Sequence, residues 1–292
     1  QWHGKWFKRA WLGDAFGWVG TDVMWLEPQT WAVIGGAASK DQADTLLKSI
    51  NNLARAFSKH GAVILSRPIE QMAGDPGIGT NAGIWPSING TLIWALALLD
   101  RDSAWDEWKR NSLAKHAEEY PDVWYGIWSG PDTYNSEFAE RPGQTIAVEA
   151  RGGVQDALEE EEAEGFMGVG WTDFPVMNMH PHTWPLYTIG KLMGIEFNSK
   201  GVDLAPILPK DEYKFLTPLL ELQKAKGGYS GKYSPKSSGL WRMSLKLDEQ
   251  ELKKMTVLLV NGREIDIVQE GNRIVWEGQS TTDEPLIWNL RF

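Results

Sequence analysis

The sequence predicts a mainly α chain that turns β towards its end, with a helical block over residues 1–199 followed by a β-sandwich-like domain over 200–292. Three observations carry this. Ala43, Leu46, Leu47, Ile50, Leu53, Ala54 and Phe57 recur at helical spacing, the stripe by which a helix buries one face. Beyond about residue 200 that period gives way to short runs of strand type, rich in branched and aromatic residues. Asn261-Gly262 and Gly271-Asn272 stand between such runs, and these dipeptides suit tight hairpin turns because they tolerate positive φ.

In chain order, residues 1–18 are aromatic, glycine-containing and loosely alternating, which reads as extended segments or a hairpin. Pro28 can occupy a first helical turn, so a buried helix is expected over 29–38. Ser39 lies three residues before Gln42, a capping-box spacing that opens a helix to Lys59, with Gly61 as its stop. Residues 62–65 read as a short strand, 73–83 as a glycine-rich loop and 87–99 as an apolar helix. Asp102 is expected to cap a polar-faced helix running to Glu119 and ended by Pro121. Residues 122–175 read mostly as loop, with the acidic run 159–162 as a solvated face. A last helix is expected over 184–193, then strands over 202–207, 215–222, 226–233, 239–247, 256–260, 264–269, 273–277 and 286–290.

Composition narrows the function. A net charge of −10 leaves no basic field for a nucleic-acid backbone. No apolar run reaches the ~18–20 residues that cross a bilayer. The chain has no cysteine, which excludes disulfides, thiol catalysis and cysteine-based zinc. It has five histidines, and His180-Pro181-His182 lacks a third ligand, so neither metal nor other cofactor is expected. The chain opens at Gln1 rather than Met, as after removal of a leader; cytoplasm and periplasm both remain open, as does homo-oligomerisation.

Seventeen tryptophans are the unusual feature. An indole can cover the apolar C–H face of a sugar ring while neighbouring carboxylates and amides take its hydroxyls, although indoles also fill cores. The chain therefore reads as one that handles an oligosaccharide or glycoside.

Several segments bear on which kind. Trp6-Phe7-Lys8-Arg9-Ala10-Trp11, Leu26-Glu27-Pro28-Gln29-Thr30-Trp31-Ala32-Val33-Ile34 and Asn81-Ala82-Gly83-Ile84-Trp85 occur in that order. They resemble the W-F-x-R-A-Y, L-E-P-Q-G-W-A-V-I and E-N-[AG]-G-I-F segments of the cellobiose, cellodextrin and chitobiose phosphorylases, and residues 184–209 resemble that family's closing barrel helix and linker strand. The resemblance implies the C-terminal part of an (α/α)6 barrel followed by a two-layer β domain, and inverting cleavage of a β-glycosidic bond. The family's general acid lies in a G-D-W-N-D-G motif that this chain lacks. The acid is then expected on an N-terminal half of the catalytic unit, as a separate chain or a removed segment. Roughly five helices, about half a closed barrel, fit the same expectation.

The departures from the family bear on the nucleophile. Its phosphate-binding His corresponds to Ser87, and the Glu opening the same segment to Thr80. Its Gln falls at Gly126, and its W-L-T-G-T-A-A-W on residues 177–184. A phosphate dianion needs several charge-assisted donors, so water is favoured as nucleophile. Inverting hydrolysis then needs a carboxylate base as well as an acid, ~6.5–9.5 Å apart. Asp132 and Asp173 are the candidate bases, each weighed against a plain turn-capping role. The substrate-binding candidates are Arg9, Glu27, Gln29, Asn81, His180 and His182, with Trp11, Trp85, Trp124 and Trp128 for stacking. Phosphorolysis of the same bonds, and a non-catalytic carbohydrate-binding or assembly subunit, are the alternatives.

Overall fold

The computed structural model describes residues 1–72, 74–123, 132–144 and 180–292. It contains both helices and sheets, in two compact units, Gln1–Lys191 and Leu192–Phe292.

The first unit opens with a hairpin of β1 (Ala10–Trp11) and β2 (Trp18–Val19), paired Ala10 to Val19 and Trp11 to Trp18. Helix α1 (Leu26–Ile34) carries Pro28 in its first turn, where a missing N–H breaks no helical bond. Ser39 caps α2 (Lys40–Ile50) through the reciprocal bonds with Gln42 expected from their spacing. The regular helix does not reach Lys59; it passes into a π-helical turn, Asn51–Arg55. There the Arg55 guanidinium donates to Asn51 at 2.6 Å, to Glu107 at 2.7 Å and to Asp106 at 2.9 Å. Glu107 is fully buried, and a buried carboxylate requires such partners.

Helix α3 (Pro86–Leu99) is apolar on most sides and largely buried. The single helix expected up to Glu119 is instead two, α4 (Arg101–Arg110) and α5 (Leu113–Glu119). Asp100, not Asp102, caps the first by accepting from the Ser103 N–H at 2.9 Å. Ser112 caps the second by accepting from Lys115 N–H at 3.1 Å, and the Asn111 amide donates to the Glu107 carbonyl at 2.9 Å. Local side-chain bonds of this kind compete with helix continuation. Helix α6 (His180–Leu192) starts before the expected Trp184 and includes Pro185. Its Trp184 packs against Gly90 of α3, leaving no room there for a β-carbon.

Residues 62–65 form no regular strand. Isolated antiparallel bridges join Trp25 to Leu65, Val63 to Ile84 and Ile84 to Tyr134, stitching four separate segments together.

In the second unit a six-stranded sheet has the order β10-β9-β13-β7-β6-β5 and a five-stranded sheet the order β11-β12-β8-β4-β3. The strands are β3 (Glu196–Asn198), β4 (Gly201–Leu204), β5 (Tyr213–Leu216), β6 (Leu220–Ala225) and β7 (Gly228–Tyr233). They continue with β8 (Gly239–Lys246), β9 (Val257–Val260), β10 (Arg263–Ile265), β11 (Val268–Glu270), β12 (Arg273–Ser280) and β13 (Leu286–Arg291). All pairings are antiparallel except β4 with β8. Both sheets contribute to one apolar core, in which Trp276 and Trp288 sit with ring centroids 5.0 Å apart. Asn261 and Gly262 take positive φ between β9 and β10, as that hairpin turn requires. The run 264–269 is split, β10 in one sheet and β11 in the other, and helix α7 (Glu249–Lys254) follows a capping box of Asp248 with Glu251.

Candidate functional site

The stitched segments of the first unit enclose a cavity of about 290 Å³. Arg9, Trp25 and Glu27 line it from the N-terminal segment, and Ile64, Thr80, Trp85, Ser87 and Ile88 from the segments that follow. Arg9 enters on the β1–β2 hairpin, held where its N–H donates to the Val19 carbonyl at 2.9 Å. Its guanidinium lies 4.4 Å from the Trp25 ring centroid, and its Nη1 is 3.0 Å from Glu27 Oε2. The Trp25 N–H is buried and meets no acceptor among the described residues, so packing and the Arg9 stack hold that ring. Gly20, at φ +85, passes so close that a β-carbon would lie 2.8 Å from Arg9 N and 3.3 Å from Trp25 Cδ1. Only glycine combines this backbone angle with this approach.

The Trp85 ring is set differently. Its Nε1–H donates to the Gly79 carbonyl at 2.8 Å, and Trp85 itself precedes the first turn of α3, which brings Ser87 and Ile88 to the cavity. The lining thus combines two indoles, one paired cation and carboxylate, and two hydroxyls. Hydroxyls, guanidinium and carboxylate together both donate and accept hydrogen bonds, while the indoles offer apolar faces. That mixture suits a polyhydroxylated ring with apolar faces.

The site residues expected from sequence fall into three groups. Arg9, Glu27 and Trp85 meet in the cavity. Gln29 and Asn81 do not, because their amides are occupied by backbone. Gln29 is fully buried; its Oε1 accepts from Phe7 N–H at 2.8 Å, and its Nε2 donates to the Phe7 carbonyl at 2.8 Å and that of Trp25 at 2.7 Å. Asn81 accepts from Ile69 N–H at 2.8 Å and donates to the Gly74 carbonyl at 3.0 Å, clamping the glycine-rich loop. Trp11 stands apart on the hairpin, half-exposed, its ring 5.4 Å from that of Trp18. Asp132 is partly exposed and lies outside the cavity lining. It is two residues from Tyr134, whose N–H and carbonyl both bond Ile84 at 2.9 Å, beside Trp85. Asp173, Trp124, Trp128 and the His180 and His182 side chains lie outside the described residues.

Sequence reasoning missed Trp25, whose one signal is that it stands two residues before Glu27. It also missed three buried rings away from the cavity. His60, His116 and Tyr134 pack with centroids 4.9, 4.7 and 4.5 Å apart. Burial pushes the His60 pKa down to about 3, helped by its neighbour His116, and burial also lowers that of His116.

The whole cavity lining falls between residues 9 and 88. Residues 1–119 match the glycosyl hydrolase 94 superfamily, catalytic domain. A curated relative, cellobionic acid phosphorylase of Neurospora crassa, is 31% identical over 96 residues, covering 31% of this chain and 12% of the relative. The chain thus spans about an eighth of that protein's length. Among solved structures, a GH127 β-L-arabinofuranosidase from Geobacillus stearothermophilus T6 aligns over 92% of this chain and 42% of its own, at 12% identity and a TM-score of 0.28. An α-L-rhamnosidase from Dictyoglumus thermophilum aligns over 91% and 31%, at 11% identity and a TM-score of 0.26. Such low TM-scores establish no common fold. The matched stretch contains every cavity residue named above, including Thr80 and Ser87, which the motif resemblance aligns with the family's Glu and phosphate-binding His. The family match and the curated relative make this chain similar to carbohydrate-active proteins.

Proposed function

We propose that this chain forms the saccharide-binding wall of an inverting site that cleaves β-linked gluco-oligosaccharides or β-glucosides, with water as nucleophile. The observation that carries it is the cavity, where Trp25 and Trp85 supply ring faces, Arg9 and Glu27 supply hydrogen bonds, and Ser87 and Thr80 supply only hydroxyls. Phosphate would need charge-assisted donors, and Arg9, the one cation in the lining, is already bonded to Glu27. A neutral sugar needs no such cation.

Inverting hydrolysis requires two carboxyl groups flanking the bond. Among the lining residues only Glu27 has one. Asp132 and Asp173 keep their place as candidate bases, and the proton donor belongs to the other half of the catalytic unit, carried by separate covalent material. On this reading the helical unit is part of an (α/α)6 barrel, and the two sheets with their common core form the sandwich-like domain that follows it.

The test is an assay of the purified assembly, with every co-purifying chain present, on cellobiose and aryl β-glucosides. Glucose released without phosphate, of inverted configuration, is the expected result. Strict phosphate dependence with a sugar 1-phosphate product would replace water by phosphate, and binding without turnover would leave a carbohydrate-binding subunit. Asp132→Asn or Asp173→Asn is expected to cut turnover by about a hundredfold or more, the scale of general-base catalysis, with the fold intact by circular dichroism. Near-normal rates in both variants would remove these bases.

A further inference from the structure

The chain holds two Asn-Gly pairs, Asn89-Gly90 and Asn261-Gly262. An asparagine before glycine is chemically labile, because the following peptide nitrogen can attack the side-chain carboxamide and glycine has no β-carbon to shield that nitrogen. Folding separates the two pairs. Asn89 is fully buried within α3, where its amide bonds Ala62 and the Trp85 carbonyl, and the helix commits its peptide nitrogens to its own ladder. Asn261 and Gly262 are both exposed in the turn between β9 and β10. A β-carbon at Gly262 would meet nothing within 4 Å, so the turn is open to solvent there. We propose that Asn261 is a site of spontaneous modification in the folded chain, deamidating through a cyclic imide, and that its conversion unlinks the two sheets of the second unit.

The reaction needs only water. The Gly262 nitrogen bonds Asn261 Cγ and gives up its proton, the Cγ–Nδ2 bond breaks, and Nδ2 leaves with that proton as ammonia. Water then opens the imide at either carbonyl. One opening gives aspartate at position 261; the other gives isoaspartate, whose backbone runs through the former side chain and is a carbon longer. What is lost is specific. The Asn261 N–H donates to the Ile287 carbonyl at 2.8 Å, and Asn261 Oδ1 accepts from the Ile287 N–H at 2.9 Å. These bonds carry the β9–β13 pairing past its last partners, Val260 and Trp288. The Asn261 Nδ2 donates to the Gln279 carbonyl at 2.8 Å. Ile287 is on β13 of the six-stranded sheet and Gln279 on β12 of the five-stranded one, so one carboxamide bonds both sheets. Neither product keeps the Nδ2 donor, and aspartate sets a carboxylate oxygen against the Gln279 carbonyl. Isoaspartate also lengthens a turn whose length fixes the register of Val260 opposite Arg263, as in any tight hairpin.

The experiment is incubation of the full chain at mildly alkaline pH, folded and in urea, followed by peptide mapping with mass spectrometry. In the folded chain Asn261 should convert about tenfold or more faster than Asn89, which reacts only when α3 opens. In urea the two should convert within about threefold of each other. Conversion adds a negative charge to a chain of net charge −10, so anion exchange separates the converted fraction, which should melt at a lower temperature than the unconverted one. Asn261→Asp, which makes the change without the longer backbone, should also melt below wild type. If the folded chain keeps Asn261 intact while the chain in urea converts it, or if Asn89 converts as fast as Asn261 in the folded chain, the site is overturned. If either the converted fraction or Asn261→Asp melts with the unmodified chain, the link between the sheets is overturned.

Discussion

At the scale of single residues, Glu27 and Gln29 mark the limit of what a motif conveys. They stand two apart on α1, and two steps along a helix turn the side chain by roughly 200°. One therefore reaches the cavity while the other enters the core, and which is which depends on Phe7, twenty-two positions away from Gln29. The two should respond differently to substitution. Gln29→Ala strands the Phe7 and Trp25 backbone groups, and urea denaturation should register a loss of about 2–3 kcal/mol. Glu27→Gln breaks a half-exposed ion pair and should change stability by less than about 1 kcal/mol, while calorimetry records weaker binding of cellobiose. A Gln29 variant as stable as wild type would contradict the clamp. Trp85 is a candidate from the Asn81–Trp85 segment and lines the cavity; Trp25, outside every quoted segment, lines it too, because the Arg9 stack and the Trp25–Leu65 bridge bring it there.

At the scale of elements, some of the local chemistry was readable from spacing alone. The Ser39–Gln42 box forms as its spacing implies, and Asn261-Gly262 makes its turn. Asp248 and Glu251 carry an equally readable box, but it opens a six-residue helix among strands, too short to show a period. The break between α4 and α5 was hidden, since apolar spacing does not reveal that Asn111 will bond Glu107. The split of residues 264–269 was hidden as well: β10 pairs with the strand before it and β11 with the strand after it, in different sheets, and one continuous apolar run does not show where that change falls. The contact of α6 with α3 gives a test at this scale. In an exposed helix Gly→Ala gains up to about 1 kcal/mol. At Gly90, however, the new β-carbon would lie 2.3 Å from Trp184 ring carbons, and a rigid indole cannot bend away. Gly90→Ala should therefore lose about 1–3 kcal/mol, seen as a lower Tm; a higher Tm would contradict the packing of Trp184 on α3.

At the scale of the whole molecule, each unit has its own core, and the first contains a titratable element with a consequence for stability. His60 is buried with its Nδ1 lacking a partner among the described residues, and burial holds its folded pKa at about 3, below the ordinary imidazole value of 6.5. A group whose pKa is depressed by folding binds more protons when unfolded. Its contribution is therefore complete above pH 6.5 and is lost as pH falls towards 3, at about 1.4 kcal/mol per pH unit for one proton. His116 shifts the same way and steepens the slope. Urea midpoints measured between pH 4 and 8 should fall on the acid side, and His60→Phe should flatten that limb by about one proton; an unchanged limb would contradict it. By itself the sequence determined that helical periods give way to extended runs near residue 200, that several early segments resemble those of a carbohydrate-active family, and that the chain is rich in tryptophan. Those features depend on period, spacing and composition, which are properties of neighbours along the chain. Only the tertiary structure decided which of those residues share a cavity, for that follows from bridges such as Trp25 to Leu65 and Ile84 to Tyr134, whose partners are forty or more residues apart and leave no mark in either segment alone.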